Sequence, residues 1–249
     1  MSEPIIEATD VVKFLGHGAG RVAALRGISL SLGGGELVLL MGPSGSGKTT
    51  LLSVLGCMLT PTKGTVRIVG HATTGAQPEA LTELRRRHVG FIFQTYHLFP
   101  TLTAVENVRL ALEMSGERPW IAHDKARAAL DTVGLAHKTN AFPSHLSSGE
   151  QQRVAIARAI VRNAAAILAD EPTAALDSAN GHAIMSLLAQ IAKDKSRAVL
   201  AVTHDPRTVP FANRILRIED GLIVGEERRA EGVETVHELA RNRKRKANA

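Results

Sequence analysis

The sequence predicts an α/β protein: a mixed, mainly parallel core sheet with an inserted helical lobe. Three observations lead there. Short apolar runs sized for buried strands alternate with helical stretches, the pattern that builds a parallel sheet. One of those runs leads directly into a glycine-rich loop and then a helix. The stretch from about residue 95 to 162 carries helical patterns with no clear strand, so it interrupts the alternation as an insertion.

In chain order, residues 5–8 and 28–32 alternate loosely as short strands, and Gly33-Gly34-Gly35 signals a turn. Residues 37–41 form a continuous apolar run, read as a buried strand, and a helix is predicted near 48–57. A strand at 65–69, a helix at 78–88 and a strand at 89–93 follow. Beyond the helical middle, 164–169 returns to a buried strand, 178–193 to a helix and 197–203 to a strand. Residues 214–219 and 222–225 read as a hairpin around Asp220-Gly221.

Composition bounds the classes. The 249 residues are 44% hydrophobic and 22% charged, which suits a soluble globular domain, and only 3% are aromatic, so the core rests on Leu, Val, Ile and Ala. No apolar run approaches the roughly 20 residues of a membrane-spanning helix. Met1-Ser2-Glu3-Pro4 lacks a basic region followed by an apolar stretch, so no secretory signal is expected. Cys57 is the sole cysteine, which excludes an intramolecular disulfide and makes a reducing, cytosolic location the expectation. Arg241, Arg243, Lys244, Arg245 and Lys246 account for five of the six net positive charges. That basic tail, 241–249, reads as a solvated end, or as a contact for anionic lipid or nucleic acid.

The chemistry begins at Gly42-Pro43-Ser44-Gly45-Ser46-Gly47-Lys48-Thr49, followed by Thr50, which matches G-x-x-x-x-G-K-[ST]. Glycines let backbone N–H groups turn inward around phosphate oxygens, and a helix starting at Lys48 aims its positive end at the same anion. Lys48 would reach the β- and γ-phosphates of ATP and Thr49 would ligate Mg²⁺. A glycine-rich turn with a chance lysine lacks the strand before it and the helix after it. The loop marks a P-loop nucleotide-binding fold and does not by itself choose among kinases, GTPases, helicases and transporters.

Residues 167–173, Ile-Leu-Ala-Asp-Glu-Pro-Thr, place Asp170 and Glu171 at the end of an apolar strand, where ligands sit on a parallel sheet. Asp170 could hold Mg²⁺, and Glu171, facing elsewhere, could polarise a water against the γ-phosphate. Leu146-Ser147-Ser148-Gly149-Glu150-Gln151-Gln152-Arg153 adds a further element: Ser147 with Glu150 three residues on is a capping box, so a helix should begin there with N–H groups available to an anion.

With Phe93-Gln94 and Thr203-His204-Asp205, these motifs stand in the order that resembles the ATP-binding cassette (ABC) ATPase family, over about residues 5–225. The resemblance implies an N-terminal antiparallel β subdomain, a cassette of about 1–240, and a homodimer in which Ser147, Ser148, Gly149 and Glu150 of one subunit close over the other's ATP. It assigns Gln94 to Mg²⁺ or the attacking water, and His204 to the γ-phosphate beside Glu171, with Lys48 as the third catalytic group. Residues 174–177 correspond to the loop that crosses the dimer interface. Two departures stand out. Ser148 replaces the usual second glycine of the signature, a cost if that position needs positive φ or close phosphate approach. Leu15, with Phe14 beside it, falls where the family places an aromatic against adenine.

Local strings such as Leu55-Gly56-Cys57 and residues 91–98 are similar to the macrolide-exporter, lipoprotein-release and glycolipid-exporter branch. That branch implies a separate permease with a large extracytoplasmic domain and a place on the cytoplasmic face of the inner membrane. A soluble ABC ATPase acting on ribosomes or DNA is the alternative. It usually carries two cassettes or a long coiled-coil insertion, neither visible here, so nucleic acid is not an expected partner. A small-molecule kinase would share the phosphate loop but leave the signature and the acidic pair unexplained.

Overall fold

The structure, a computed structural model, describes residues 3–230 and 233–237. Strands β1 (Ile6–Leu15), β2 (Val22–Leu32) and β3 (Glu36–Met41) lead into helix α1 (Lys48–Leu55). Then come β4 (Lys63–Ile68), β5 (His71–Ala72), α2 (Pro78–His88) and β6 (Val89–Ile92). The middle of the chain is helical, with α3 (Ala104–Glu113), α4 (Pro119–Thr132) and α5 (Ser148–Ile160). It closes with β7 (Ala166–Asp170), α6 (Ser178–Ala192), β8 (Ala198–Thr203), β9 (Arg214–Glu219), β10 (Leu222–Ala230) and β11 (Val233–His237).

Two sheets result. The first is antiparallel in the order β2-β1-β4-β5. The second runs β11-β10-β9-β3-β8-β7-β6; β9, β3, β8, β7 and β6 are mutually parallel, and β10 and β11 join antiparallel at one edge. Side-chain alternation makes the large sheet the middle of a sandwich. From β3, Leu37, Leu39 and Met41 enter one core with the residues of α3 to α6, while Val38 and Leu40 enter the other with α1 and the antiparallel sheet. Strands β7 and β8 divide in the same way, which is why their sequences are apolar throughout. Ligands of such a sheet meet the C-terminal strand ends, and there the phosphate loop, the acidic pair and His204 emerge from β3, β7 and β8.

Two expectations needed lengthening or trimming, each for a local reason. Strands β1 and β2 run far beyond 5–8 and 28–32, because bulges break the period-two alternation that marks a strand. The first follows Ala8, and Asp10 sits there at φ 49°, its N–H bonded to the Ser29 hydroxyl. Helix α1 stops at Leu55 rather than near Cys57, since Cys57 adopts φ 57°. The basic tail at 241–249 lies outside the described residues. Among the described residues no helix is long and apolar enough to cross a membrane.

Candidate functional site

The loop between β3 and α1 begins the site. Gly47 caps α1 at φ 101°, and a Cβ there would stand 2.5 Å from the Ala24 carbonyl oxygen, so glycine is required on two counts. No side chain caps α1, which leaves its first N–H groups to whatever occupies the loop. Lys48 is buried and its Nζ donates to the carbonyls of Gly42 (2.9 Å) and Pro43 (2.7 Å). Ser44, Gly45, Gly47, Lys48, Thr49 and Thr50 line a cavity of about 840 Å³, whereas Gly42, Pro43 and the buried Ser46 form the loop behind it.

Chain separation is then closed by the sheet. The same cavity takes in Gln94 after β6, Glu171 after β7 and His204 after β8. His204 Nδ1 lies 2.8 Å from Glu171 Oε1. Glu171 is held by its N–H to the Val202 carbonyl (3.0 Å) and adopts φ 47°, a left-handed backbone that costs energy in any residue but glycine. That turn separates the directions of the two carboxylates. Asp170 stays behind Thr49, whose hydroxyl donates to Asp170 Oδ1 at 3.4 Å. Burial raises the Asp170 pKa, against the opposing hydrogen bond from Thr49 and with help from the Glu171 charge.

The oxygens of Thr49, Asp170 and Gln94 are the hard donors that Mg²⁺ takes. Among the described residues no cluster of three His, Cys, Asp or Glu side chains could hold a metal. A cation at Thr49 and Asp170 would thus complete its shell with phosphate and water, as Mg²⁺ does in nucleotide sites.

The signature residues stand apart from this cavity; none of Ser147, Ser148, Gly149 or Glu150 lines it. The capping box forms as expected: the Ser147 hydroxyl accepts from the Glu150 N–H (3.2 Å), and the Glu150 carboxylate accepts from the Ser147 N–H (2.8 Å). Bonding to the Ser147 backbone holds Glu150 below the usual carboxylate range. Ser148 is the first residue of α5 and has no positive φ, so the departure from glycine costs no backbone strain there. The glycine that geometry demands is Gly149: a Cβ on it would stand 2.6 Å from the Asn180 side-chain oxygen. Asn180 bonds Asp177, the cap of α6, so the signature turn and the loop at 174–177 meet face to face.

Of the far wall of the cavity only Leu15 was legible, through the family resemblance. Leu15 and Val22 pair across the β1–β2 hairpin and line it, 40% and 62% exposed, and Asp220 and Gly221 line it from the β9–β10 turn. Phe14 does not line the cavity; its ring lies under the Arg21 guanidinium at 4.1 Å. Asp220-Gly221 carried only a hairpin signal, and the pairing that brings it to the phosphate loop, Gly221 N–H to the Ser46 carbonyl at 3.0 Å, joins residues far apart in the chain.

Comparison with known proteins agrees with this geometry. The family model described as ABC transporter matches residues 25–174. The chain is 43% identical over 235 residues to the macrolide export ATP-binding/permease protein MacB of Salmonella choleraesuis (strain SC-B67), covering 92% of this chain and 36% of that protein. Against MacB of Escherichia coli (strain K12) it is 43% identical over 221 residues, covering 89% and 34%. The chain thus spans about a third of the length of these relatives. Among solved structures, the ATP-binding cassette MJ0796, a dimer in a post-hydrolysis state bound to ADP and Pi, superposes with TM-score 0.82 at 40% identity, covering 90% of this chain and 99% of that one. With a family model over more than half its length and these relatives beside it, the chain belongs to the ABC transporter family, as an ATP-binding cassette.

Proposed function

We propose that this cassette hydrolyses Mg-ATP in a two-fold dimer holding two nucleotides, and that the cycle drives an export permease. The observation that carries the reading is a division of labour: one cavity collects Lys48, Thr49, Gln94, Glu171 and His204, while the helix start at Ser147 to Gly149 does not line it. Two such half-sites on one chain fit a two-fold pairing, in which each cavity is closed by the other subunit's signature.

In that arrangement the loop N–H groups of 42–47 and the α1 terminus cradle the phosphates, and Lys48 exchanges its loop carbonyls for the β- and γ-phosphates. Thr49, Asp170 and Gln94 would hold Mg²⁺, which would supply positive charge against the phosphate oxygens. Glu171 accepts a proton from the attacking water, with His204 fixing its carboxylate. Leu15 and Val22 offer the base an apolar surface in place of a ring. Ser147 and Gly149 of the partner subunit stabilise the γ-phosphate from the opposite side.

The relatives named above combine ATP-binding and permease functions in their names, and the cassette proposed here sits at the cytoplasmic face of the inner membrane beneath a transmembrane permease with a large extracytoplasmic domain. An apolar groove of about 920 Å³ fits its cytoplasmic end, bordered by Phe91, Phe93 and the exposed Phe99 and Met114, immediately beside Gln94. The basic residues from 241 to 246 would add attraction to anionic lipid.

The test is Glu171→Gln. A catalytic base contributes about 10²- to 10⁴-fold, so turnover falls by that order while ATP still binds and the dimer persists. Purified from membranes with ATP, the variant brings a polytopic permease with it. Rapid hydrolysis by the variant removes Glu171 from its role, and ribosomes or nucleic acid in place of a membrane protein overturn the transporter assignment.

A further inference from the structure

A second polar cavity, of about 650 Å³, lies at the opposite end of the large sheet from the nucleotide site. Its walls are the residues that precede β6, β7 and β8, together with the end of α3 and the middle of α4. Glu171 and His204 follow the other ends of β7 and β8, so the five residues of β7 alone put roughly 15 Å between the two cavities. The volume is that of a small-molecule site, about 300–1,000 Å³.

The charges around it do not balance. Five basic side chains line the cavity against two carboxylates. Glu83 is shared between Arg86 and Arg87, one carboxylate for two guanidinium groups. Glu117 pairs with Lys125, and Asp194 pairs with Arg197 from outside the cavity at 3.3 Å. Arg162 has no carboxylate within ion-pairing distance among the described residues. Its guanidinium donates to the Val89 carbonyl at 3.2 Å, and its Nε is buried with no acceptor. Two positive charges are therefore left over.

The helix ends nearby do not absorb them. A helix C-terminus carries only about half a negative charge. That of α5, just before Arg162, offsets part of one cation, and the end of α3 is already met by Arg86, which donates to the Met114 carbonyl at 3.3 Å. Burial, together with the Arg86 charge, pulls the Arg162 guanidinium below its ordinary range, as expected of a cation without an anion.

We propose that this cavity is a ligand site separate from the nucleotide site, and that it takes a phosphate or phosphomonoester against Arg86, Arg87 and Arg162. The charge fits: a phosphate group carries about −1.5 to −2 at pH 7, against a surplus of two cations. The shape fits as well, because guanidinium forks bind phosphate oxygens in pairs. Leu112, Ala129 and Ile160 give the cavity an apolar wall beside the basic one, with room for the organic body of a phosphomonoester. The site needs neither ATP nor a second subunit.

The experiment is isothermal titration calorimetry on the full chain, with Mg²⁺ and a non-hydrolysable ATP analogue filling the phosphate loop. Inorganic phosphate and glycerol 3-phosphate are the probes, at constant ionic strength. Each binds once more per chain. Arg162→Gln weakens that binding by about ten- to hundredfold, the loss of a charge-assisted bond. Arg87, whose side chain is 69% exposed, can be replaced without disturbing the core, and Arg87→Gln weakens it by about two- to fivefold. Affinity for the ATP analogue stays within about twofold in both variants, because the sites are far enough apart to act independently. Phosphate also raises the melting temperature of the parent chain and leaves that of Arg162→Gln unmoved, a response that a purely structural arginine would not give. Tighter binding of glycerol 3-phosphate than of phosphate identifies a phosphomonoester held by the apolar wall as well, and equal binding identifies free phosphate. No binding beyond the phosphate loop, or a site indifferent to both substitutions, overturns the proposal.

Discussion

Helices α1 and α5 carry the two N-termini proposed above to meet phosphate, and they are built in opposite ways. The first is capped by a left-handed glycine, has no side chain over its N–H groups and no acidic residue in its first turn. The second satisfies itself: Ser147 and Glu150 take each other's N–H groups, and Glu150 places a carboxylate in the turn that would meet the anion. An uncapped helix start leaves its N–H groups to solvent or a ligand, and its positive end favours an anion, so affinity resides there. A self-capped start next to a carboxylate gains less from an anion. It holds its shape without nucleotide and adds to binding only once the other half has already placed the phosphate. The difference suits the proposed arrangement, in which the phosphate loop binds ATP and the second subunit's signature finishes the site.

Gly47→Ala breaks the comparison hardest. A left-handed alanine costs about 1–2 kcal/mol, the clash with the Ala24 carbonyl adds to it, and each 1.4 kcal/mol is about tenfold in affinity. ATP affinity measured by fluorescent-nucleotide titration therefore falls by at least about tenfold. Ser147→Ala acts on the other helix. It removes a cap worth about 1 kcal/mol, lowering the melting temperature by about 2–4 °C for a domain of this size. Steady-state turnover drops while ATP affinity of the unpaired subunit stays within about twofold; an equal loss of that affinity would erase the distinction between the two helix starts.

Inside α5 the effect reverses sign. Gln152 is fully buried and neither amide atom has a partner among the described residues. Gln152→Met keeps the volume and removes a group whose unmet desolvation costs about 1–3 kcal/mol, so calorimetry should find the variant more stable than its parent. A lower melting temperature would mean that the amide is satisfied after all.

The smallest effect is in pH. The N-cap partners Thr103 and Ser147 hold Glu106 and Glu150 below the ordinary value of 4.5. A carboxylate lowered in the folded state contributes stability that is complete above the unfolded pKa and disappears as pH falls through the folded one. Melting temperature should thus be insensitive to these two groups above pH 4.5 and fall below it, with a shallower acid slope in Glu150→Gln. An unchanged slope would assign the acid sensitivity elsewhere.

How much of this was readable beforehand depends on distance along the chain. Residues 42–50, Asp170-Glu171 and Ser147 with Glu150 are contiguous chemistries: spacing alone says which backbone N–H groups, hydroxyls and carboxylates travel together, and the strands read at 37–41, 164–169 and 197–203 say that the phosphate loop, the acidic pair and His204 leave a buried sheet. The full lengths of the bulged β1 and β2 escaped because their alternation is interrupted, and Val22 escaped with them, whereas Leu15 was placed by the family resemblance. The sequence by itself thus determined the nucleotide chemistry, the strand–loop–helix that supports it and the start of the signature helix, since each depends on neighbours within a few residues. Only the tertiary structure decided that Glu171 turns left-handed toward His204, that Gly149 rather than residue 148 is the glycine geometry requires, and that Arg158 of α5 reaches the Tyr96 and His97 carbonyls just past Gln94. Those are contacts between segments far apart in the chain, and their partners are chosen by sheet order and helix packing, which local residue pattern does not encode.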